Sequence, residues 1–514
     1  MLYPIGIQDF GELRRNGFVY VDKTRFVHRL VSTGKYYFLG RPRRFGKSLL
    51  LSTMEAYFLG RKELFKGLAI EELEQEWKEY PVLHLDLNVG RYDTPQALEE
   101  VLDNTLSAWE RRYGIPIPAK TLSGELRFSE VVQRVYERTG LPVVILIDEY
   151  DKPLLQAITN AELQGQFRAT LKAFYSVLKT MDRCIRFAFL TGVTKFGKVS
   201  IFSDLNNLKD ISMNREYAEI CGITEAEIHE NFEEALHEMA RSNGMTYEEA
   251  CAELKRKYDG YHFEVGVPGV YNPFSLINAL QDKAFKDYWF ETGTPTFLVR
   301  LLEASDYDLN RLQGGQVMAP ALSDIDNARS PIPMFYQSGY LTISGYDKDF
   351  GEYILDFPNA EVERGFITFI LPNYLPNRAE EPSFSITQFV RDVRSGRAED
   401  FMQRLTTFFD DCDYRVTGRM EVYFQNALYI VFKMMGFFVQ VERATARGRI
   451  DVVVTTQDYV YVLECKLDKS AEEALRQIDD KGYALPYAAD GRKLYKIGIN
   501  FSSETRGISE YKIA

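Results

Sequence analysis

RPRRFGKSLLLSTM (41–54) decides how the first half of the chain is read. It follows a short apolar run, KYYFLG (35–40), and opens helix-like sequence. A strand that turns through a glycine-containing loop into a helix points backbone N–H groups at one spot, and anions bind there. In this stretch Gly46 lets those N–H groups approach phosphate oxygens. Lys47 neutralises the terminal phosphate charge, and Ser48 offers a hydroxyl to Mg²⁺. The three residues form the end of a GxxxxGK[ST] loop. The pattern departs at its start, where Arg41 stands in place of the first glycine and Gly40 lies one position early. Residues 34–54 hold five cations (Lys35, Arg41, Arg43, Arg44 and Lys47) and no Asp or Glu. A polyphosphate accounts for Lys47 and one arginine, assigned here to Arg44. The others steady the loop or meet acids of the same domain.

Working outward, three more apolar runs share the strand length of the first: PVLHLDLN (81–88), LPVVILID (141–148) and IRFAFLTG (185–192). Charged, helix-periodic sequence separates them, which predicts a parallel sheet covered by helices. The third run continues as VVILIDEYDKP (143–153), the form of a Walker B strand. Asp148 is expected to hold Mg²⁺ through water, and Glu149 to orient or deprotonate an attacking water. Thr191, near the end of the fourth run, is placed to sense the γ-phosphate. Both motifs end strands, where ligands of open α/β sheets bind.

From Glu216 to Lys257 the pattern turns helical, as in TEAEIHENFEEALHEMARSNG (224–244), and a mixed stretch with QSGYLTISGY (337–346) follows. It reads as a lid or adjunct region over 216–375, after a first domain at 1–215. PNYLPNRAEEPS (372–383) reads as a linker, and 385–514 as a third domain. There a helix at 420–435 leads to strands at 437–444, 449–456 and 459–467. A helix at 470–484 and a strand at 493–501 complete it.

The second chemical site lies in GRIDVVVTTQDYVYVLECKL (448–467). Asp451 begins one strand, and Glu464-Cys465-Lys466 ends the next. Alternation places Glu464 and Lys466 on one face with Cys465 on the other. A hairpin would bring Asp451 and Glu464 together on one Mg²⁺, with Mn²⁺ also admitted, since hard cations take oxygen ligands. Lys466 would position water or balance charge. The ExK pattern also occurs at Glu76, Glu253 and Glu510, and only Glu464 stands in a long β-type run behind an acid-led strand. Arg443, Arg447 and Arg449 precede Asp451 and could touch a nucleic-acid backbone.

The 514 residues carry 62 Lys+Arg against 74 Asp+Glu, a net charge of −12, with 45% hydrophobic residues. That composition predicts a folded protein and excludes a general basic coat, though not a local basic channel. The five cysteines are scattered without a CxxC pair, so a reducing cytoplasm is expected and a disulfide framework is not. No apolar window approaches membrane length.

LGRPRRFGKSLL, ILIDEYDKPL, FAFLTGVTKFGKVSIFSDLNNLKDIS, YDGYHF and YNPFSLINAL together resemble the bacterial AAA-ATPase-like family that carries a C-terminal PD-(D/E)XK nuclease domain. The resemblance covers nearly the whole chain, and RPRRFGKS looks like a family trait. It implies an α/β P-loop ATPase with a helical lid, followed by a small restriction-endonuclease-like α/β domain. It also implies ATP and Mg²⁺ as cofactors, and nucleic acid as partner, DNA ahead of RNA. Homo-oligomers fit the class. By the same resemblance, Glu421 on the first helix of the third domain completes the metal shell. Gln477 and Tyr483 match the family's QIxxKxY stretch. Two readings follow. One is an ATPase whose nucleotide state gates a Mg²⁺-dependent nuclease. The other is a nucleotide-driven switch or assembly protein whose last domain binds without cutting. No second motor domain or helicase motif set supports a translocase.

Overall fold

A computed structural model describes residues 1–116, 122–195, 207–291, 298, 301–302, 307–309, 312–319, 322, 330–374, 386–410, 420–436, 440–445, 450–487, 491–505 and 507–514. For 291, 371–374, 410, 420–425, 440–445 and 450–451 only the backbone is described. The chain divides into two compact units. Met1–Gly293 joins Gly314–Val362, and Thr294–Gln313 joins Glu363–Ala514.

In the first unit, β1 (Tyr36–Gly40), β2 (Val82–Asp86), β3 (Val143–Asp148), β4 (Ile185–Gly192) and β5 (Lys209–Asp210) form one sheet in the order β2-β3-β4-β1-β5. Every pairing is parallel. All six residues of β3 are buried. That explains the unbroken apolar run: a strand of a covered parallel sheet has no solvent face to alternate with. The surrounding helices include α1 (Lys47–Phe58), α2 (Pro95–Tyr113), α3 (Gly124–Thr139) and α4 (Ala161–Thr180). Each of the last three buries a stripe at helical spacing, such as Leu98, Leu102, Leu106 and Trp109 on α2. Gly40 of β1 is the register partner of Gly192 of β4, and β3 runs beside β4. The carboxyl ends of three neighbouring strands therefore bring together residues 41–48, 148–151 and 191–194.

α5 (Glu225–Asn243) and α6 (Tyr247–Tyr258) each begin with a capping box, Thr224 with Glu227 and Thr246 with Glu249. α7 (Pro273–Asp282) is capped by the Asn272 side chain. β6 (Gly315–Met318), β7 (Thr342–Asp347) and β8 (Glu352–Asp356) form an antiparallel sheet in the order β6-β8-β7. The strand expected over 337–346 begins only at Thr342, because Gln337 ends a short helix.

This region packs directly on the loop after β1. The Arg41 guanidinium lies 3.8 Å from the Phe263 ring centroid, and Phe45 meets Tyr261 edge-on at 4.7 Å. A Cβ on Gly339 would stand 2.7 Å from Pro42. Here lies a difference from the expected division into 1–215, 216–375 and 385–514. Residues 216–291 and 314–362 share a compact unit with the sheet, whereas 294–313 belongs with the C-terminal part. The aromatic side chains of 261–263 use the loop as their packing surface. Leu309 N–H donates to Asn426 Oδ1 at 2.8 Å, and Asn426 Nδ2 donates to the Tyr307 carbonyl at 2.9 Å. Most of the expected linker lies outside the described residues.

α8 (Ala360–Tyr374) opens with Glu361, which is fully buried. Its Oε1 accepts the Trp289 N–H at 2.7 Å, and its Oε2 has no partner among the described residues. Burial pushes its pKa from 4.5 up to about 7. The folded state thus holds a proton that the unfolded chain releases, so stability falls as pH rises from 4.5 to 7. The full loss, about 3 kcal/mol, is present above pH 7. Glu361→Gln is expected to raise the urea midpoint at pH 8 and leave it unchanged at pH 4. An equal effect at both pH values would refute the assignment.

In the second unit, β9 (Gln440–Thr445), β10 (Ile450–Thr455), β11 (Tyr459–Leu467), β12 (Lys493–Ser502) and β13 (Gly507–Ile513) form a sheet in the order β13-β12-β11-β10-β9. β11 and β12 run parallel, and the other pairs antiparallel. β13 extends the sheet beyond the last strand expected. α9 (Ile386–Arg394), α10 (Ala398–Asp410) and α11 (Met420–Gly436) supply a core with Tyr461 and Leu463. Val460 and Val462 instead meet Ile478 of α12 (Ala471–Asp480). The architecture is α/β, a parallel sheet with a helical adjunct followed by a small α/β domain, as expected from the sequence.

Among the described residues no helix is long and apolar enough to cross a membrane. Cys184, Cys221, Cys251 and Cys465 form no disulfide among the described residues, and Cys412 lies outside them.

Candidate active sites

The first site is built on the carboxyl ends of β1, β3 and β4. Gly46 has φ +87, a left-handed conformation that glycine adopts without strain and a side chain would not. Lys47, the first residue of α1, is buried. Its Nζ donates to the carbonyls of Arg41 and Pro42 at 3.1 Å each and lies 3.3 Å from Glu149 Oε1. Ser48 Oγ donates to Asp148 Oδ2 at 2.6 Å, and Thr191 Oγ1 donates to Asp148 Oδ1 at 2.5 Å. Lys47, Ser48 and Thr191 therefore converge on the Asp148–Glu149 carboxylate pair. Hydroxyl and carboxylate oxygens are what a Mg²⁺ ion selects, so the donor set fits that ion.

Glu149 stands at φ +50, the left-handed region that a non-glycine residue adopts only under constraint. The constraint is visible. Its N–H donates to Asp148 Oδ1 at 3.0 Å, and the next N–H, of Tyr150, donates to the Thr191 carbonyl at 2.9 Å. Asp151 was not singled out in the sequence. It is fully buried and accepts from the N–H groups of Val193 and Thr194 and from the Thr194 hydroxyl, the last two at 2.6 Å. Burial, with the Glu149 charge behind it, pushes its pKa up to about 6. Gly192 permits this closeness, since a Cβ there would lie 2.6 Å from Asp151 Oδ1. The third acid of IDEYDKP was the available signal.

Arg44 is exposed and at φ +67, its guanidinium 4.9 Å from the Phe274 ring centroid, so the structure seats it on α7. Arg41, where the motif's first glycine would be, is buried. Its guanidinium donates to the carbonyls of Gly40, Ser212 and Tyr217 at 2.7–3.1 Å. Burial lowers its pKa to about 10, so it stays charged near neutrality. It is a strut for the loop. Arg41→Ala should destabilise the protein by about 2–5 kcal/mol, the range for emptying a large core position. Arg41→Lys should recover only part, because an ammonium cannot serve several coplanar carbonyls. Urea denaturation of the pair tests this, and an unchanged midpoint for Arg41→Ala would contradict it.

The second site lies on β10, β11 and α12. Asp451 is the register partner of Glu464, as a hairpin required, and its side chain is outside the description. Glu464 is fully buried. Lys466 Nζ donates to Glu464 Oε1 at 2.6 Å and to Gln477 Oε1 at 2.5 Å. Glu464 Oε2 has no partner among the described residues. A buried carboxylate oxygen left unpaired costs free energy, and a divalent cation would meet it, so the residues fit such an ion. Gly498, the register partner of Glu464 on β12, brings α12 close enough for Gln477 to reach Lys466. A Cβ there would stand 2.2 Å from the Ala471 carbonyl oxygen. Tyr483 packs against the small core beside Val460 and Val462. Glu421 lies in the first turns of α11, and Arg443 lies on β9. Only the backbone of either is described, and Arg447 and Arg449 lie outside the described residues.

Comparison with known proteins follows the same division. A family model described as a predicted AAA-ATPase matches residues 4–202, and one for the PD-(D/E)XK nuclease superfamily matches 419–511. An uncharacterized protein in the vnfD 5' region of Azotobacter chroococcum mcd 1 is 36% identical, across 98% of this chain and 97% of that protein. A solved structure of the Aeropyrum pernix ORC2 protein in ADPNP–ADP complexes is 12% identical. It covers 65% of this chain and 87% of its own, with a TM-score of 0.24, too low to add to the fold assignment.

Proposed function

The chain belongs to the family of AAA-ATPase-like proteins with a C-terminal PD-(D/E)XK nuclease superfamily domain, and from that premise we propose an ATP-hydrolysing protein whose nucleotide state gates a Mg²⁺-dependent nuclease acting on DNA. The observation that carries this reading is the buried Glu464 Oε2, unpaired among the described residues and held beside Lys466 and Gln477 in the same chain as the Lys47–Glu149 and Ser48–Asp148 pairs.

At the first site Lys47 and the N–H groups around Gly46 bind the polyphosphate, with Arg44 able to swing from Phe274 toward it. Ser48 and Asp148 hold Mg²⁺. Glu149 takes a proton from the attacking water, and Thr191 keeps Asp148 in place while reporting the γ-phosphate. At the second site Asp451 and Glu464, with Glu421 completing the shell, hold Mg²⁺ or Mn²⁺. When bound, that ion supplies Lewis-acid polarisation of the scissile phosphate and lowers the pKa of a water. Lys466 orients the water or balances charge, and Gln477 holds the Lys466 ammonium. The protein works in the cytoplasm, and a homo-oligomer is the natural assembly for an ATPase that borrows a neighbour's arginine.

The test is full-length protein with end-labelled DNA and RNA, with and without Mg²⁺ and ATP, resolved on a gel. Cleavage of DNA that needs Mg²⁺ and changes with ATP is expected. Binding of nucleic acid with no cleavage under any condition would replace this reading with the switch or assembly protein.

A further inference from the structure

YDGYHF (258–263) belongs to neither active site, yet two of its residues, Asp259 and His262, line a cavity of about 750 Å³ in the first unit. Six carboxylates face it, from Asp22, Glu219, Glu225, Glu227, Glu230 and Asp259, against two cations, Arg25 and Lys255. Several of the acids are already paired: Glu225 with Lys255 at 2.5 Å, Glu219 with Arg25 at 3.1 Å and Glu227 with Lys23 at 2.6 Å. Glu230 and Asp259 have no ion pair among the described residues.

A second observation points to a ligand. Asp259 is only 8% exposed, and its Oδ1 has no hydrogen-bond partner among the described residues. His262 Nδ1 lies 3.1 Å from the Val267 carbonyl oxygen. A carbonyl only accepts, so His262 Nδ1 is the donor. Asp259 Oδ1 and His262 Nε2 both border Gly269, 3.1 and 3.2 Å from where a Cβ would stand, and Gly269 lines the cavity. Glycine at 269 lets the Asp259 carboxylate and the His262 ring approach the backbone there. Burial raises the Asp259 pKa, with the Gly260 N–H, Lys255 and His262 only partly opposing it, so a bound positive charge would relieve a remaining penalty.

We propose that this cavity binds a small organic polycation of the polyamine class, one ammonium met by Asp259 and another drawn by Glu230. An ammonium brings three N–H donors to a wall on which carboxylates outnumber cations six to two. A concave wall dominated by one sign of charge also concentrates such a cation.

The experiment is calorimetric titration of spermidine into the full-length protein, its Asp259→Asn, Glu230→Gln and Glu504→Gln variants, with near-UV circular dichroism confirming the fold of each. A chain of net charge −12 attracts polycations everywhere, so Glu504→Gln, at an exposed position in the other unit, controls for bulk charge. One saturable site is expected, weakened about tenfold or more in Asp259→Asn, on the scale of one lost charged hydrogen bond. Glu230→Gln should weaken it severalfold, and Glu504→Gln should leave it unchanged. Glu230 is exposed on α5, so its variant decides the matter if Asp259→Asn fails to fold. Absence of a saturable site, equal affinity in Glu230→Gln and Glu504→Gln, or displacement of spermidine by equimolar Zn²⁺ would overturn the proposal. None of these results bears on ATP hydrolysis or DNA cleavage, which are read separately.

Discussion

Glu464→Gln should cut Mg²⁺-dependent DNA cleavage by a factor of about 10²–10³, the scale of removing one charge-stabilising group from a preorganised site. The substitution preserves shape and removes charge. Glu464 is fully buried, its Oε1 takes the Lys466 ammonium at 2.6 Å, and its Oε2 is the atom left for a cation. With the charge gone, the proposed ligand set loses one of its carboxylates, and the Lys466 ammonium loses its ion pair while keeping the neutral Gln477 oxygen. Breaking a buried pair by neutralising one partner also destabilises, by roughly 3–5 kcal/mol. The loss of cleavage must therefore be compared with a melting curve. Lys466→Met separates the two effects: it should lower the cleavage rate while leaving Mn²⁺ binding, followed by calorimetry, in place. ATP hydrolysis should stay within about twofold of wild type in both variants. Cleavage by Glu464→Gln at the wild-type rate would mean that another group, or another protein in the preparation, cuts the DNA.

The strands were legible because a covered parallel sheet leaves a plain mark. VVILID and IRFAFLTG lack polar alternation for the same reason that β3 is buried along its length. The hairpin was legible too. Alternation alone placed Glu464 and Lys466 on one face, and the Asp451–Glu464 register and the shared position of Lys466 and Gln477 agree with it. What stayed hidden depends on partners far along the chain. Arg41 is the same residue type as a phosphate-binding arginine. Only the carbonyls of Ser212 and Tyr217, more than 170 positions away, make it a strut. Asp151 looks like any acid after a strand until the N–H groups of Val193 and Thr194 are seen to close on it. The grouping of 294–313 with the C-terminal unit rests in part on Asn426, whose two hydrogen bonds to that segment leave no local pattern.

Glu149→Gln is expected to slow ATP hydrolysis by a factor of about 10²–10⁴, the usual contribution of a positioned general base, while ATP still binds. The geometry explains why the two effects separate. Glu149 reaches the site from a backbone held at φ +50 by the Asp148 side chain and the Thr191 carbonyl, and a glutamine there meets the same constraints. What it cannot do is accept a proton. Its carboxylate lies 3.3 Å from Lys47 Nζ, so charge removal also frees that ammonium for phosphate, and ATP affinity should hold or rise. Lys47→Ala gives the opposite signature. It removes the buried cation that the polyphosphate needs, so binding weakens first and hydrolysis falls with it. Calorimetry with a non-hydrolysable ATP analogue, beside phosphate release at saturating ATP, reads the two quantities independently. If nucleotide state gates the second site, the two variants must also part company there. Glu149→Gln, held in its ATP-bound form, should fix DNA cleavage at the ATP-bound level, and Lys47→Ala should fix it at the nucleotide-free level. Equal cleavage by both, with or without ATP, would leave two independent enzymes on one chain and remove the gate.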